Sequence, residues 1–277
     1  GLVGLTFPGA SSGRFGAMVS GYLRYPHVNE DQVVFVADDD LWLTTVLGGR
    51  AHRLTSEHIP VRSPRFSPSG KRVGFVSGYP GNQDLHVLDV EGGRHRLTWL
   101  SALRMQVCGW VDEEHVLVAS MHNEALRALS WLYTVSLEGK LERLPWGPAS
   151  AADRNPDGRA VLASPNFRGP EQWKRYRGGM VNRVWVSDVR QENWTRLLPR
   201  ETASLAGPCW VGERIVFTSD LGARLPENPG EQAQVWSVKP DGSDLRAHTA
   251  HTFTDGYCRD ATTDGRRVVF HARGKLH

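Results

Sequence analysis

The chain of 277 residues carries 33 basic and 30 acidic side chains, a formal net charge of +3, with 40% hydrophobic residues, 29 Gly and 10 Trp. The charges are interleaved, which excludes the concentrated basic stripe of a nucleic-acid domain, and no apolar run approaches the roughly 20 residues of a membrane-spanning helix. Three cysteines, Cys108, Cys209 and Cys258, are odd in number and lack CxxC spacing, so they read as reduced core residues of a cytosolic protein.

Residues 1–20 are rich in Gly, Ser and Ala and fit no later pattern; they are expected to be disordered, non-native, or translated upstream of a start at Met18. They lack the basic opening and apolar core of a signal peptide. Gly9-Ala10-Ser11-Ser12-Gly13 is a formal G-x-S-x-G, but no strand-to-helix turn surrounds it, so it reads as chance.

From residue 21 onward short strand-like runs alternate with turn residues. The first unit spans Arg24 to Val28, Gln32 to Ala37, Leu41 to Val46 and Arg53-Leu54-Thr55. Its Asp38-Asp39-Asp40 run lacks a ligand loop for calcium and is expected to be a solvated connection. The second unit, residues 63–98, is the clearest: Phe66, the turn Ser67-Pro68-Ser69-Gly70, Arg72 to Ser77, Leu85 to Leu88, the turn Glu91-Gly92-Gly93, and Arg96-Leu97-Thr98. Four short runs with β-branched residues and tight turns predict an antiparallel four-stranded meander.

That unit recurs. An aliphatic residue followed by a ring marks the third strand at Leu41-Trp42, Leu85-His86, Leu132-Tyr133, Val184-Trp185, Val235-Trp236 and Leu276-His277. Arg-Leu-Thr or a variant closes the fourth strand at residues 53–55, 96–98, 143–145, 196–198 and, degraded, at Ala247-His248-Thr249. Intervals of roughly 40 to 50 residues are the length of a propeller blade. The expected fold is all-β, a six-bladed β-propeller of four-stranded antiparallel blades over residues 21–277, with the last blade incomplete. Without the third and fourth strands of that blade, the second strand near Val268 to Phe270 is expected to present an unpaired edge, a template for association.

Strand direction sorts the connections. First-to-second and third-to-fourth turns share one face and are tight; second-to-third and blade-to-blade connections share the other and hold the long insertions 120–131, 164–183 and 219–234 and the linker 98–106. Loops on a rigid scaffold carry function, so the second face is expected to be the working one. The loop 164–183 carries Arg168, Lys174, Arg175, Arg177 and Arg183 against Glu171, interleaved with Phe167, Trp173 and Tyr176. Such a loop can pack on the blade rim, grip a carboxylate by guanidinium forks, or stack on a nucleic-acid strand.

The sequence contains no P-loop, dinucleotide fingerprint or HExxH pair, and the histidines are scattered; His86 and His277 occupy the ring position of the repeat, where packing is expected. No catalytic residue, cofactor or metal ligand is predicted.

Two stretches are more specific than the repeat: Gln172-Trp173-Lys174-Arg175-Tyr176-Arg177-Gly178-Gly179 leading into Val184-Trp185, and Thr263-Asp264-Gly265-Arg266-Arg267-Val268-Val269-Phe270. With Tyr22-Leu23-Arg24-Tyr25-Pro26 and Asp40-Leu41-Trp42, they resemble the amino-terminal propeller of the tricorn protease family, cytosolic serine peptidases of archaea and actinobacteria. The resemblance covers residues 22–277. It implies a hexameric, cytoplasmic enzyme that trims oligopeptides released by the proteasome, whose catalytic residues lie in further domains of the same polypeptide and whose propellers guide substrate and product. It also implies adjacent arginines that hold a peptide's terminal carboxylate; Leu103-Arg104 is the nearest match, so Arg104 is the candidate substrate-binding residue and Leu103 departs from the pattern. A stand-alone interaction scaffold of the TolB or WD type is the alternative. Neither nucleic acid nor membrane is an expected partner.

Overall fold

The computed structural model describes residues 5–6, 21–122, 129–224 and 232–277. Apart from Leu5–Thr6, which pairs in parallel with Gly49–Arg50, the reading of residues 1–20 lies outside the described residues.

Six antiparallel sheets follow one another along the chain, the first five of four strands and the last of three. Their innermost strands are Arg24–Asn29, Val61–Phe66, Met105–Trp110, Ala151–Arg154, Ala206–Val211 and Arg259–Thr263. The second strands of blades one, two, three and five, Gln32–Ala37, Arg72–Ser77, His115–Ser120 and Arg214–Ser219, are each buried at five successive positions. A strand with one wet face would alternate; these are apolar on both sides because each blade is covered by a neighbour on either face. The apolar side chains accordingly fall into six clusters, each shared by two consecutive blades. The sixth joins Val269 and Leu276 of the last blade to Val28, Val33 and Phe35 of the first and so closes the ring. Across that seam Leu23 N–H donates to the Gly274 carbonyl (3.0 Å) and Thr262 Oγ1 to the Pro26 carbonyl (2.7 Å).

The closing Arg-Leu-Thr has a chemical reason. In blade two Thr98 Oγ1 accepts the Leu85 N–H (2.9 Å) and donates to Asp84 Oδ1 (2.8 Å), while Arg96 reaches Asp84 Oδ2 (2.8 Å). The same carboxylate receives the N–H groups of Leu100 and Ser101, so it fastens the fourth strand and the following linker to the third. Blade one repeats the clamp with Asp40, Thr55 and Arg53. In blade five Gln234 replaces the acid, and Thr249 still accepts from Val235 N–H and donates to Gln234 Oε1 (2.7 Å). The apparently degraded closer at 247–249 therefore performs the same task. Blade three has Pro145 in the threonine position and holds its edge differently, with Arg143 stacked 3.5 Å from the Trp131 ring centre.

The third-strand rings are packing groups, as their position in the repeat implies. His86 stacks on Phe75 and receives Arg94 Nε at Nδ1 (3.2 Å). Burial, with Arg94 and Arg96 close by, pushes its pKa down to about 4. His277 stacks on Phe270 with ring centres 5.1 Å apart.

Two expectations are corrected. The Asp38-Asp39-Asp40 run is not wholly solvated: Asp38 and Asp39 adopt φ of 48° and 61° in the two-residue hairpin turn, but Asp40 is buried as the clamp of blade one. In blade six a third strand begins at Lys275–Leu276, and Phe270 and His277 exchange both backbone hydrogen bonds (3.1 and 2.9 Å). The outward edge is therefore paired from Phe270 to Ala272, while Val268 and Val269 have no third-strand partner among the described residues.

Candidate functional site

Five of the six innermost strands shift register at nearly the same place: between Arg24 and His27, Arg62 and Arg65, Val107 and Gly109, Ala206 and Cys209, and Arg259 and Thr262. In four of them one residue within the shift is left-handed: Tyr25 (φ 50°), Ser63 (46°), Gly207 (59°) and Asp260 (49°). A regular strand sends residues three apart to opposite faces; the inserted residue removes that parity, so Arg62 and Arg65 both line the axis. A left-handed non-glycine residue costs on the order of 1–3 kcal/mol. Side-chain bonds between neighbouring inner strands offset that cost: Ser63 Oγ accepts Val107 N–H (3.1 Å), His27 Nδ1 accepts Phe66 N–H (3.1 Å) and Asp153 Oδ2 accepts Trp210 N–H (2.7 Å).

The axial channel has two chambers. One of about 630 Å³ is bounded by the tight turns, including Asn29-Glu30, Ser67-Pro68 and Asp264-Gly265. The other, about 290 Å³, is bounded by the starts of the inner strands and by part of the loop 164–183. Arg65, Gln106, Ala151, Gly207 and Ala261 border both and form the waist.

The smaller chamber opens among the long connections, on the face expected to work. Arg24, Arg62, Arg65, Arg104 and Arg259 line it, against Glu171 and Asp260. Several guanidiniums elsewhere are held in ion pairs, for example Arg94 with Glu57 (2.8 Å), Arg96 with Asp84 (2.8 Å) and Arg214 with Asp244 (2.8 Å), and others lie over rings, as Arg143 does over Trp131. In the chamber Arg24 reaches Asp39 (3.3 Å), but Arg62, Arg65, Arg104 and Arg259 form no ion pair with any described carboxylate. Arg65 has one hydrogen bond, to the Pro64 carbonyl (2.8 Å), and the Nε of Arg62 is buried without a partner. Asp260 is engaged by His271 Nε2 (2.8 Å).

The structure thus brings Arg104 to the chamber and adds three arginines that the sequence reading missed. A signal for two of them exists: Arg24-Tyr25-Pro26 and Arg62-Ser63-Pro64 are the same Arg-x-Pro at the same bulge, and Arg259 likewise precedes a left-handed residue.

The basic loop behaves otherwise. Its Phe167, Glu171 and Gln172 face the chamber, whereas its bases are engaged away from it. Arg168 lies over Trp173, Lys174 over Tyr257, Arg177 pairs with buried Asp220 (3.2 Å), and Arg183 donates to the Ala203 carbonyl (3.0 Å). Burial and the neighbouring Asp260 raise the Glu171 pKa from its ordinary value. In the larger chamber burial raises Asp153 to about 6 and Cys108 to about 11, so both thiol and acid are less charged than in water. Among the described residues no three His, Cys, Asp or Glu side chains converge as a metal site, and no helix is long and apolar enough to cross a membrane.

Fold and site together define a six-bladed β-propeller whose axial channel opens through unpaired arginines. Residues 20–277 match the tricorn protease N-terminal beta propeller domain, and the chain belongs to that family. It is 39% identical over 258 residues to tricorn protease homolog 1 of Streptomyces coelicolor, covering 92% of this chain and 23% of that one. The crystal structure of the tricorn protease superposes with a TM-score of 0.81 at 28% identity, over 93% of this chain and 25% of that one. A putative TolB from Agrobacterium tumefaciens shares the fold, with a TM-score of 0.64 at 15% identity, over 92% of this chain and 83% of that one. The chain spans about a quarter of the length of these two tricorn proteins.

Proposed function

We propose that this chain is the propeller portion of a cytoplasmic, hexameric tricorn-like serine peptidase acting on oligopeptides, and that it guides and filters peptides through its channel without cleaving them. Family membership supports the first part. The second rests on one observation: at the mouth of the chamber, on the loop-bearing face, stand the guanidiniums of Arg62, Arg104 and Arg259, none in an ion pair with a described carboxylate. Every peptide ends in a carboxylate, and a planar guanidinium grips one with two parallel hydrogen bonds. Arg104, at the end of the linker from blade two, is the primary anchor for that group. Size supports the filter: a chamber of about 290 Å³ has room for a short stretch of extended peptide and not for a folded protein.

The test is a titration of the chain with a short peptide carrying either a free C-terminal carboxylate or an amide. The free carboxylate should bind roughly tenfold tighter, in keeping with about 1.5–3 kcal/mol for a charged hydrogen bond discounted for solvent. Arg104→Gln should remove most of that difference, and no peptide should be cut. Equal affinity for acid and amide would exclude the reading.

A further inference from the structure

The waist poses a separate question. Of the five residues bordering both chambers only Arg65 is charged; Gln106, Ala151, Gly207 and Ala261 are neutral and mostly small. Its backbone is clamped from both sides: the indole Nε1 of Trp110 donates to the Arg65 carbonyl (3.0 Å), and the next N–H, of Phe66, donates to His27 Nδ1 (3.1 Å). The bulge at Ser63, itself bonded to Val107 N–H, sets the direction of the strand that carries it. The guanidinium is thus held in place while its donors, apart from the bond to Pro64, have no described partner. Burial depresses its pKa, yet a guanidinium stays charged, so a positive charge without a carboxylate partner stands at the waist and favours an anion there.

The acids whose charge acts on it, Asp260 and Asp153, do not pair with it, and Asp260 is engaged by His271 Nε2 (2.8 Å). Asp153 forms no ion pair with Arg65 and is already bonded to the N–H groups of Trp210 (2.7 Å) and Arg154 (2.8 Å). One guanidinium beside a buried acid suits a single negative charge, a carboxylate, better than the double charge of a phosphate.

We propose that Arg65 forms a second carboxylate site, at the waist of the channel, which takes the side chain of an acidic residue within a peptide whose end is held at the mouth. The channel is then selective for acidic peptides, and Arg65 is its specificity-determining residue. This rests on the reading of the channel as a peptide conduit and adds the peptide class.

Three peptides of equal length separate the two. One has blocked ends and a central Glu-Glu, one has blocked ends and Gln-Gln, and one has Gln-Gln with a free C-terminal carboxylate. The chain should bind the Glu-Glu peptide about tenfold tighter than its Gln-Gln counterpart. Arg65→Gln should abolish that preference while keeping the preference for a free terminus, which belongs to Arg104. A Glu preference that survives in folded Arg65→Gln overturns the proposal. A measurement on the unaltered chain needs no variant: phenylglyoxal modification of Arg65, followed by mass spectrometry, should slow with the Glu-Glu peptide and not with the Gln-Gln one. Equal slowing, or none, overturns it as well. If the free terminus confers no advantage in the unaltered chain, the conduit reading itself falls. If it does and the Glu preference is absent, only the waist site falls.

Discussion

Asp84→Ala should destabilise the chain by about 2–4 kcal/mol, the effect of removing a buried charged acceptor from several donors at once while the half-exposed Arg96 turns to water. Asp84 is 2% exposed and receives four donors: Arg96 Nη2, Thr98 Oγ1 and the N–H groups of Leu100 and Ser101. Removing the carboxylate takes the acceptor from two backbone donors and the Thr98 hydroxyl together, which also frees the edge strand Arg94–Arg96. Asp84→Asn should cost less, because an amide oxygen can still accept from Thr98, as Gln234 Oε1 accepts from Thr249 in blade five. Urea unfolding followed by tryptophan fluorescence measures both. A loss below about 1 kcal/mol for the alanine variant would mean the clamp is ornamental.

Gly78→Ala should be comparably damaging, at about 3–5 kcal/mol, through two additive costs: overpacking and a backbone conformation closed to L residues. Gly78 sits at φ 118°, and a Cβ there would fall inside the envelope of the Asn82 carbonyl oxygen. Gly92 is the control, since at φ 132° it has nothing within 4 Å of such a Cβ, and its alanine variant should bear only the conformational cost. The Gly78 change also reaches the site. The loop after Gly78 holds the linker of Arg104: Gly81 N–H donates to the Ala102 carbonyl (3.1 Å), Gln83 and Ala102 exchange backbone bonds (3.2 and 2.9 Å), and Gln83 Oε1 accepts Met105 N–H (2.8 Å). Thermal unfolding should therefore fall together with affinity for a carboxylate-ended peptide. A Gly78→Ala protein as stable as Gly92→Ala would refute the steric account.

The blade count was legible because each recurring sequence feature corresponds to a recurring contact. The aliphatic residue before the ring is the one whose N–H the closing threonine accepts, at Leu41, Leu85 and Val235. The loop-bearing face followed from strand direction alone, and Arg104 lies there. What could not be read was where charges end. Arg62 and Arg65 face opposite ways when counted along a regular strand, and only the bulge turns both inward. The bases of the loop 164–183 find partners distant in sequence, Asp220 and Tyr257, that no local pattern announces. Asp40 differs from Asp38 and Asp39 only in being one step inside a strand, yet that step buries it.

The most direct measurement is to locate a bound peptide. A peptide with a photoreactive penultimate residue and a free C-terminal carboxylate, irradiated with this chain and mapped by mass spectrometry, should label the smaller chamber around Arg104, Gln172 and Arg259. Labelling confined to the outer blade surface or to the tight-turn rim at Pro68 and Gly265 would contradict a carboxylate-receiving channel.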